Sequence, residues 1–131
     1  MWLATGAVIE IMDARHHDEV LAATSHLPHT LAFALVYSLS AKSEKEEIFR
    51  YAAGGFADFT RIASSNPQLW RDICIANREC LAQAMDHFMS ELRVLQQGLQ
   101  NNNAALLEEH FSAAKRARDT FCGKQKVTAG E

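Results

Sequence analysis

From Val20 to Ala41 the chain runs for 22 residues without an Asp, Glu, Lys or Arg. A helix built from such a run must be covered on most of its sides, by protein or by lipid. The run also holds His26, Pro28, His29 and five Ser or Thr hydroxyls, and no aromatic belt or Lys/Arg bias frames both its ends. Those polar groups favour a helix buried inside a protein over a membrane span. Pro28 lacks an amide donor and disfavours helical geometry in Leu27, so a kink or break is expected between Ser25 and Pro28, with a second run to about Ser40. Backbone groups freed at that kink would be open to a ligand.

The rest of the composition is also helical. Ala and Leu supply 34 of the 131 residues, Val, Ile and Thr only 17, and Gly plus Pro only 8, which excludes an all-β fold. The length suits one domain rather than two. A net charge of −3 gives no basic footprint, so neither nucleic acid nor an anionic membrane is an expected partner. Cys74, Cys80 and Cys122 form no C-x-x-C pair, and Met1 to Met12 lacks the basic start of a secretory signal, so a reducing cytoplasm is the expected location.

Local signals divide the chain further. Gly6-Ala-Val-Ile-Glu-Ile-Met12 reads as one short strand without a partner, and Asp13 as the cap of a helix beginning at Ala14. Lys42 to Glu47 reads as a polar loop leading into a helix through Ile48, Phe49 and Tyr51. Gly54-Gly55 then interrupts the chain before a short helix, Phe56 to Ala63. Asn66 and Pro67 open a long helix on which Cys74, Leu81, Met85, Phe88, Leu92, Leu95 and Leu99 follow steps of four and three, with Arg78 breaking the seam. Gly98 to Asn103 reads as a turn, and Asn103 as the cap of a last helix through Phe121, so the two form an antiparallel hairpin. The expected organisation is a strand remnant over 1–13, an all-α helical bundle over 14–122 and a flexible tail over 123–131. The first helices are apolar on nearly all sides, so a second copy of the chain is expected to cover them in a homodimer made through helices.

Residues able to carry chemistry cluster around the proline. His26 and His29 are three apart and share a helix face, a spacing open to ligand binding and equally to two satisfied polar groups at a kink. With His16 and His17 they also allow a helical metal-binding reading, but H-x-x-H without a glutamate is a weak zinc signal and no metal is expected. Arg61 lies in a mostly apolar helix and needs a partner. A ligand carboxylate suits its planar fork, and Asp58, three residues earlier, is the internal alternative. Trp70 reads first as a core or interface anchor. No Gly-x-Ser-x-Gly elbow accompanies a Ser-His-Asp set, and no G-x-G-x-x-G follows a strand, so the chain shows neither a hydrolase nucleophile nor a dinucleotide loop.

Gly6-Ala7, His17-Asp18, Ser25-His26-Leu27-Pro28-His29, Ala53-Gly54-Gly55-Phe56, Asp58-Phe59-Thr60-Arg61-Ile62-Ala63 and Trp70 together resemble the C-terminal helical domain of prephenate dehydrogenases, over nearly all of residues 2 to 122. The resemblance implies a domain that dimerises and closes the substrate cleft of an enzyme whose Rossmann domain binds NAD or NADP. The implied reaction is oxidative decarboxylation of prephenate, or of arogenate, on the route to tyrosine, with tyrosine as a candidate inhibitor. It further implies that Arg61 grips a substrate carboxylate, that His29, Ser25 and His26 line the pocket, and that Gly54 lets backbone approach the ligand. Asp58 and Trp70 would sit near the cleft at the dimer boundary. The nucleotide loop and the catalytic histidine would belong to the Rossmann domain, so no cofactor is expected on this chain alone. The alternative is a non-catalytic helical regulatory or interaction module, such as an aromatic amino-acid sensor.

Overall fold

In a computed structural model, residues 11–128 are described, with side chains through Phe121. Seven α-helices form among them: α1 Ala14–Leu21, α2 Leu27–Ser40, α3 Lys45–Arg50, α4 Gly54–Thr60, α5 Pro67–Ala76, α6 Arg78–Gln100 and α7 Ala104–Thr128. A π-helical turn, Ala22–His26, joins α1 to α2, and a 3-10 turn, Arg61–Ser64, follows α4. No strand forms among the described residues, as an all-α fold requires; the expected strand over Gly6–Met12 falls mostly outside them. The chain makes two units, one ending at Asp86 and one beginning at His87.

In the first unit the Asp13 carboxylate accepts the His16 amide and starts α1, as its position before a helical run demands. Of the kink or break expected before Pro28, the break does not occur. Instead the helix widens for one turn, and the Leu27 amide reaches back five residues to the Ala22 carbonyl. The extra residue gives the proline ring room against the preceding turn, so the helix absorbs the missing donor without ending. Among the described residues, this run of 27 residues, Ala14–Ser40, is the one helix long and apolar enough to cross a membrane by length and composition. Here α2 is the element on which α3, α4 and the 3-10 turn pack. Ala32 of α2 is buried, as is Ala22 in the π-turn, and the small Ala32 side chain suits close packing on α2.

Other boundaries shift for local reasons. α3 starts at Lys45, inside the stretch expected as a loop, with Glu46 and Glu47 in its first turn where the helix dipole favours them. Gly54 and Gly55 open α4 rather than interrupting a helix. Asn66 caps α5 by accepting the Leu69 amide, with Pro67 next to it, as expected. The single long helix after it is not observed: α5 ends at Ala76 and Asn77 leaves helical geometry before α6.

The second unit is a helical hairpin. α6 continues through Gly98 to Gln100, beyond the expected turn. Asn102 then takes φ 51°, the left-handed conformation that asparagine tolerates. The Asn103 amide bonds to the Gly98 carbonyl at 2.8 Å and the Asn102 amide to Leu99 at 3.1 Å, which closes the helix end. Asn103 caps α7 through the Leu106 amide, and α7 is helical through Thr128, past the expected end at Phe121.

Gly98 has a packing role. A Cβ there would lie 2.9 Å from Leu106 Cδ2 and 3.3 Å from Leu107 Cδ2. Gly98→Val is expected to destabilise the chain by about 1–3 kcal/mol through overpacking. Gly98→Ala should stay near neutral, since the flexible leucine tip can move and alanine gains about 1 kcal/mol of helix propensity. Urea unfolding midpoints of the two variants check this.

Candidate functional site

The π-turn sets the geometry of the histidine cluster, all of it in the first unit. His29 Nδ1 donates to the Ser25 carbonyl at 2.9 Å, which orients the ring. The ring stacks on the Trp70 indole of α5, with centroids 3.6 Å apart and planes 17° from parallel. His26 meets the same indole edge-on, at 6.2 Å and 76°. Trp70 reaches this place because the Asn66 cap and Pro67 fix the first turn of α5. Behind it, Thr30, Phe33, Pro67, Arg71 and Cys74 complete a cleft of about 240 Å³. The Thr30 hydroxyl donates to the His26 carbonyl and accepts from the Cys74 thiol at 3.8 Å, a second tie between α2 and α5.

Asn77 supplies a third tie, and the sequence reading missed it. Its side-chain amide donates to the Asp18 carbonyl at 2.8 Å and to His26 Nδ1 at 3.2 Å, and the residue is 8% exposed. The only sequence signal was the Arg78 that breaks the four-three seam next to it.

Burial pushes His26 below the ordinary histidine value of 6.5, with the neighbouring His29 and His17 acting in the same direction and Asp18 against it. The unfolded chain therefore binds the proton more readily than the folded one between the folded value and 6.5. His26 contributes stability that is fully present above 6.5 and is lost as pH falls from there through the folded value. The carboxylates of Asp13 and Glu44 also sit below their ordinary values, because Asp13 accepts the His16 amide and Glu44 accepts from Ser43. Their contribution is lost in a separate window, below about pH 4. Thermal melts between pH 7 and 5 should show a falling midpoint that flattens in His26→Gln.

The other expected site residues stand apart from this cluster. Arg61 is exposed on the 3-10 turn rather than buried, and it makes no ion pair with Asp58, which is exposed on α4. Both elements pack on α2, the helix that carries His29, but Arg61, Asp58 and Gly54 do not line the cleft beside Trp70. A Cβ at Gly54 would meet nothing within 4 Å, so no neighbour in the single chain demands glycine there. His16 and His17 are exposed, and no group of three metal-ligating side chains converges among the described residues.

The cluster thus offers a flat aromatic wall beside an apolar cleft and two oriented imidazoles. The Arg61 guanidinium, outside this cluster on a turn that packs on α2, is free of any intramolecular ion pair among the described residues. Such a set suits a ring compound bearing an acid group.

Residues 13–113 match the family model described as prephenate dehydrogenase, dimerization domain. The chain belongs to that family. It is 42% identical over 119 residues to the cyclohexadienyl dehydrogenase of Zymomonas mobilis, an overlap covering 89% of this chain and 41% of that protein. The prephenate dehydrogenase of Bacillus subtilis is 35% identical over 123 residues, 93% of this chain and 33% of its own. The fold matches the crystal structure of prephenate dehydrogenase from A. aeolicus in complex with hydroxyphenyl propionate and NAD+, at TM-score 0.81 and 40% identity, over 87% of this chain and 40% of that one. The chain therefore spans about two-fifths or less of its prephenate dehydrogenase relatives.

Proposed function

We propose that this chain is the substrate-binding and dimerisation part of a cytoplasmic, NAD(P)-dependent prephenate or arogenate dehydrogenase of tyrosine biosynthesis. The observation that carries the reading is the stack of His29 on Trp70, in a chain 40% identical to an enzyme crystallised with hydroxyphenyl propionate and NAD+. Arg61 takes the carboxylate in two parallel hydrogen bonds, and ligand contact supplies the desolvation that the single chain does not. His29, with one nitrogen spent on Ser25, presents Nε2 to the ligand, and His26 and Ser25 complete that wall. Gly54 lets backbone approach the ligand, and Asp58 sits at the dimer boundary of the assembled cleft.

The described residues do not fit a nicotinamide dinucleotide. Gly54-Gly55 opens a helix after an irregular segment, with no strand before it and no second phosphate-binding turn. The chain's own contribution is to bind and orient the ring acid.

A second copy of the chain is the proposed partner. Only Ala22, Ala32 and Leu81 are buried apolar side chains among the described residues, while Leu99 and Phe111 are 67% and 60% exposed. A core that small leaves apolar faces which an interface would cover.

Calorimetric titration with prephenate and with 4-hydroxyphenylpropionate tests the site. Binding is expected in the unaltered chain and in Asn101→Ala, whose side chain lies in the hairpin turn. In Arg61→Ala a loss of about 1.5–3 kcal/mol, ten- to hundredfold in Kd, is expected. Equal affinity in Arg61→Ala contradicts the carboxylate role.

A further inference from the structure

We propose that Asn77 is a positioning residue that holds His26 as the neutral imidazole protonated on Nε2. The inference rests on the proposed function only for its consequence, that His26 then meets a ligand as a fixed donor.

The argument starts from the Asp18 carbonyl, which can only accept. Asn77 Nδ2 lies 2.8 Å from it, so the amide nitrogen, and not the amide oxygen, must face that side. The same nitrogen lies 3.2 Å from His26 Nδ1. One amide hydrogen goes to each acceptor, which leaves Nδ1 unprotonated and puts the ring proton on Nε2. His29 carries the opposite pattern, with Nδ1 protonated toward the Ser25 carbonyl. The two rings that meet Trp70 thus present different free nitrogens, a donor at His26 and an acceptor at neutral His29.

Other groups around His26 do not impose this state. The Trp70 contact is through ring edges, and Thr30 bonds the His26 carbonyl rather than its ring. The nearby titratable groups are His29, His17 and Asp18, and the Asp18 carboxylate is engaged by His17 Nδ1 at 3.1 Å. The burial that disfavours the charged imidazole agrees with a lone pair kept on Nδ1. The design spans the chain: Asn77 is 59 residues from Asp18 and 51 from His26, and it sits at the break between α5 and α6. Asparagine there ends one helix and spends its side chain on another.

Long-range 15N–1H correlation spectra of the labelled chain, with His26 assigned from His26→Gln, read the tautomer directly. The unaltered chain is expected to show an unprotonated Nδ1 and a protonated Nε2 at His26 above pH 7. In Asn77→Asp the side chain can only accept, so the Nδ1–H form or the imidazolium should take over. The ratio of Nε2–H to Nδ1–H should fall by roughly tenfold, the weight of one hydrogen bond. His29 should keep its Nδ1–H pattern in both. A protonated Nδ1 at His26 in the unaltered chain overturns the proposal by itself, even if Asn77→Asp does not fold. An unchanged ratio in a folded Asn77→Asp overturns it as well. Titration of the same unaltered sample with 4-hydroxyphenylpropionate separates the two readings: an intact His26 pattern without binding removes the proposed function and leaves the Asn77 assignment standing.

Discussion

Trp70→Ala is expected to destabilise the first unit by about 3 kcal/mol, the low end of the range for deleting a tryptophan, because the indole is half-buried rather than enclosed. Two terms add. The lost apolar contact opens the cleft that Thr30, Phe33 and Cys74 line, and the lost stack on His29 removes an aromatic pair of about 0.5–1.5 kcal/mol. Trp70→Phe keeps a flat ring in that place and should recover more than half of the loss. Urea midpoints at constant m-value measure both variants. A Trp70→Ala chain within 0.5 kcal/mol of the original, about the scatter of a neutral surface change, would show that the stack is incidental to the fold.

The second large effect concerns association. Leu99→Glu combined with Phe111→Glu is expected to turn a dimer into a monomer at micromolar concentration. Both side chains line a groove of about 650 Å³ on the hairpin, together with Met89, Leu92, Leu95 and Leu107. An apolar anchor in such a groove is worth about 2 kcal/mol or more when truncated, and the two carboxylates put in place of Leu99 and Phe111 must also be desolvated, with Arg93 as the one cation lining the groove among the described residues. Two such changes raise the dissociation constant by roughly a thousandfold or more. Sedimentation equilibrium reads the outcome, and circular dichroism checks that the helices persist. An unchanged dimer would place the interface on another apolar face.

Features written in local chemistry were legible in the sequence. Asp13, Asn66 and Asn103 each accept an amide three residues on, and a cap of that kind needs nothing beyond its own turn. The hairpin was legible for a similar reason, although its helix end was misplaced. Gly98 suggested a turn by its type, whereas its place is set by Leu106 and Leu107 on the next helix. The break at Asn77 was hidden because it depends on distant partners, and the π-turn because a proline can be met by one widened turn as well as by a break. Asn77 is helix-compatible until Asp18 and His26 claim its amide. The spacing marks the histidine pair as sharing a face, the family resemblance alone gives Trp70 a place at the cleft, and the fold brings the three into contact. Arg61, whose carboxylate role comes from the resemblance, is exposed, and the single chain's described residues supply no surface that encloses it.

The proposed site stands or falls on where an acidic aromatic ring settles. Intermolecular NOEs between 4-hydroxyphenylpropionate and the labelled chain measure this most directly. The ring protons are expected to contact the Trp70 indole and the His29 imidazole, and those cross-peaks should vanish in Arg61→Ala. Contacts confined to the Leu99–Phe111 groove, or none at millimolar ligand, would contradict a binding site built on the Trp70–His29 stack.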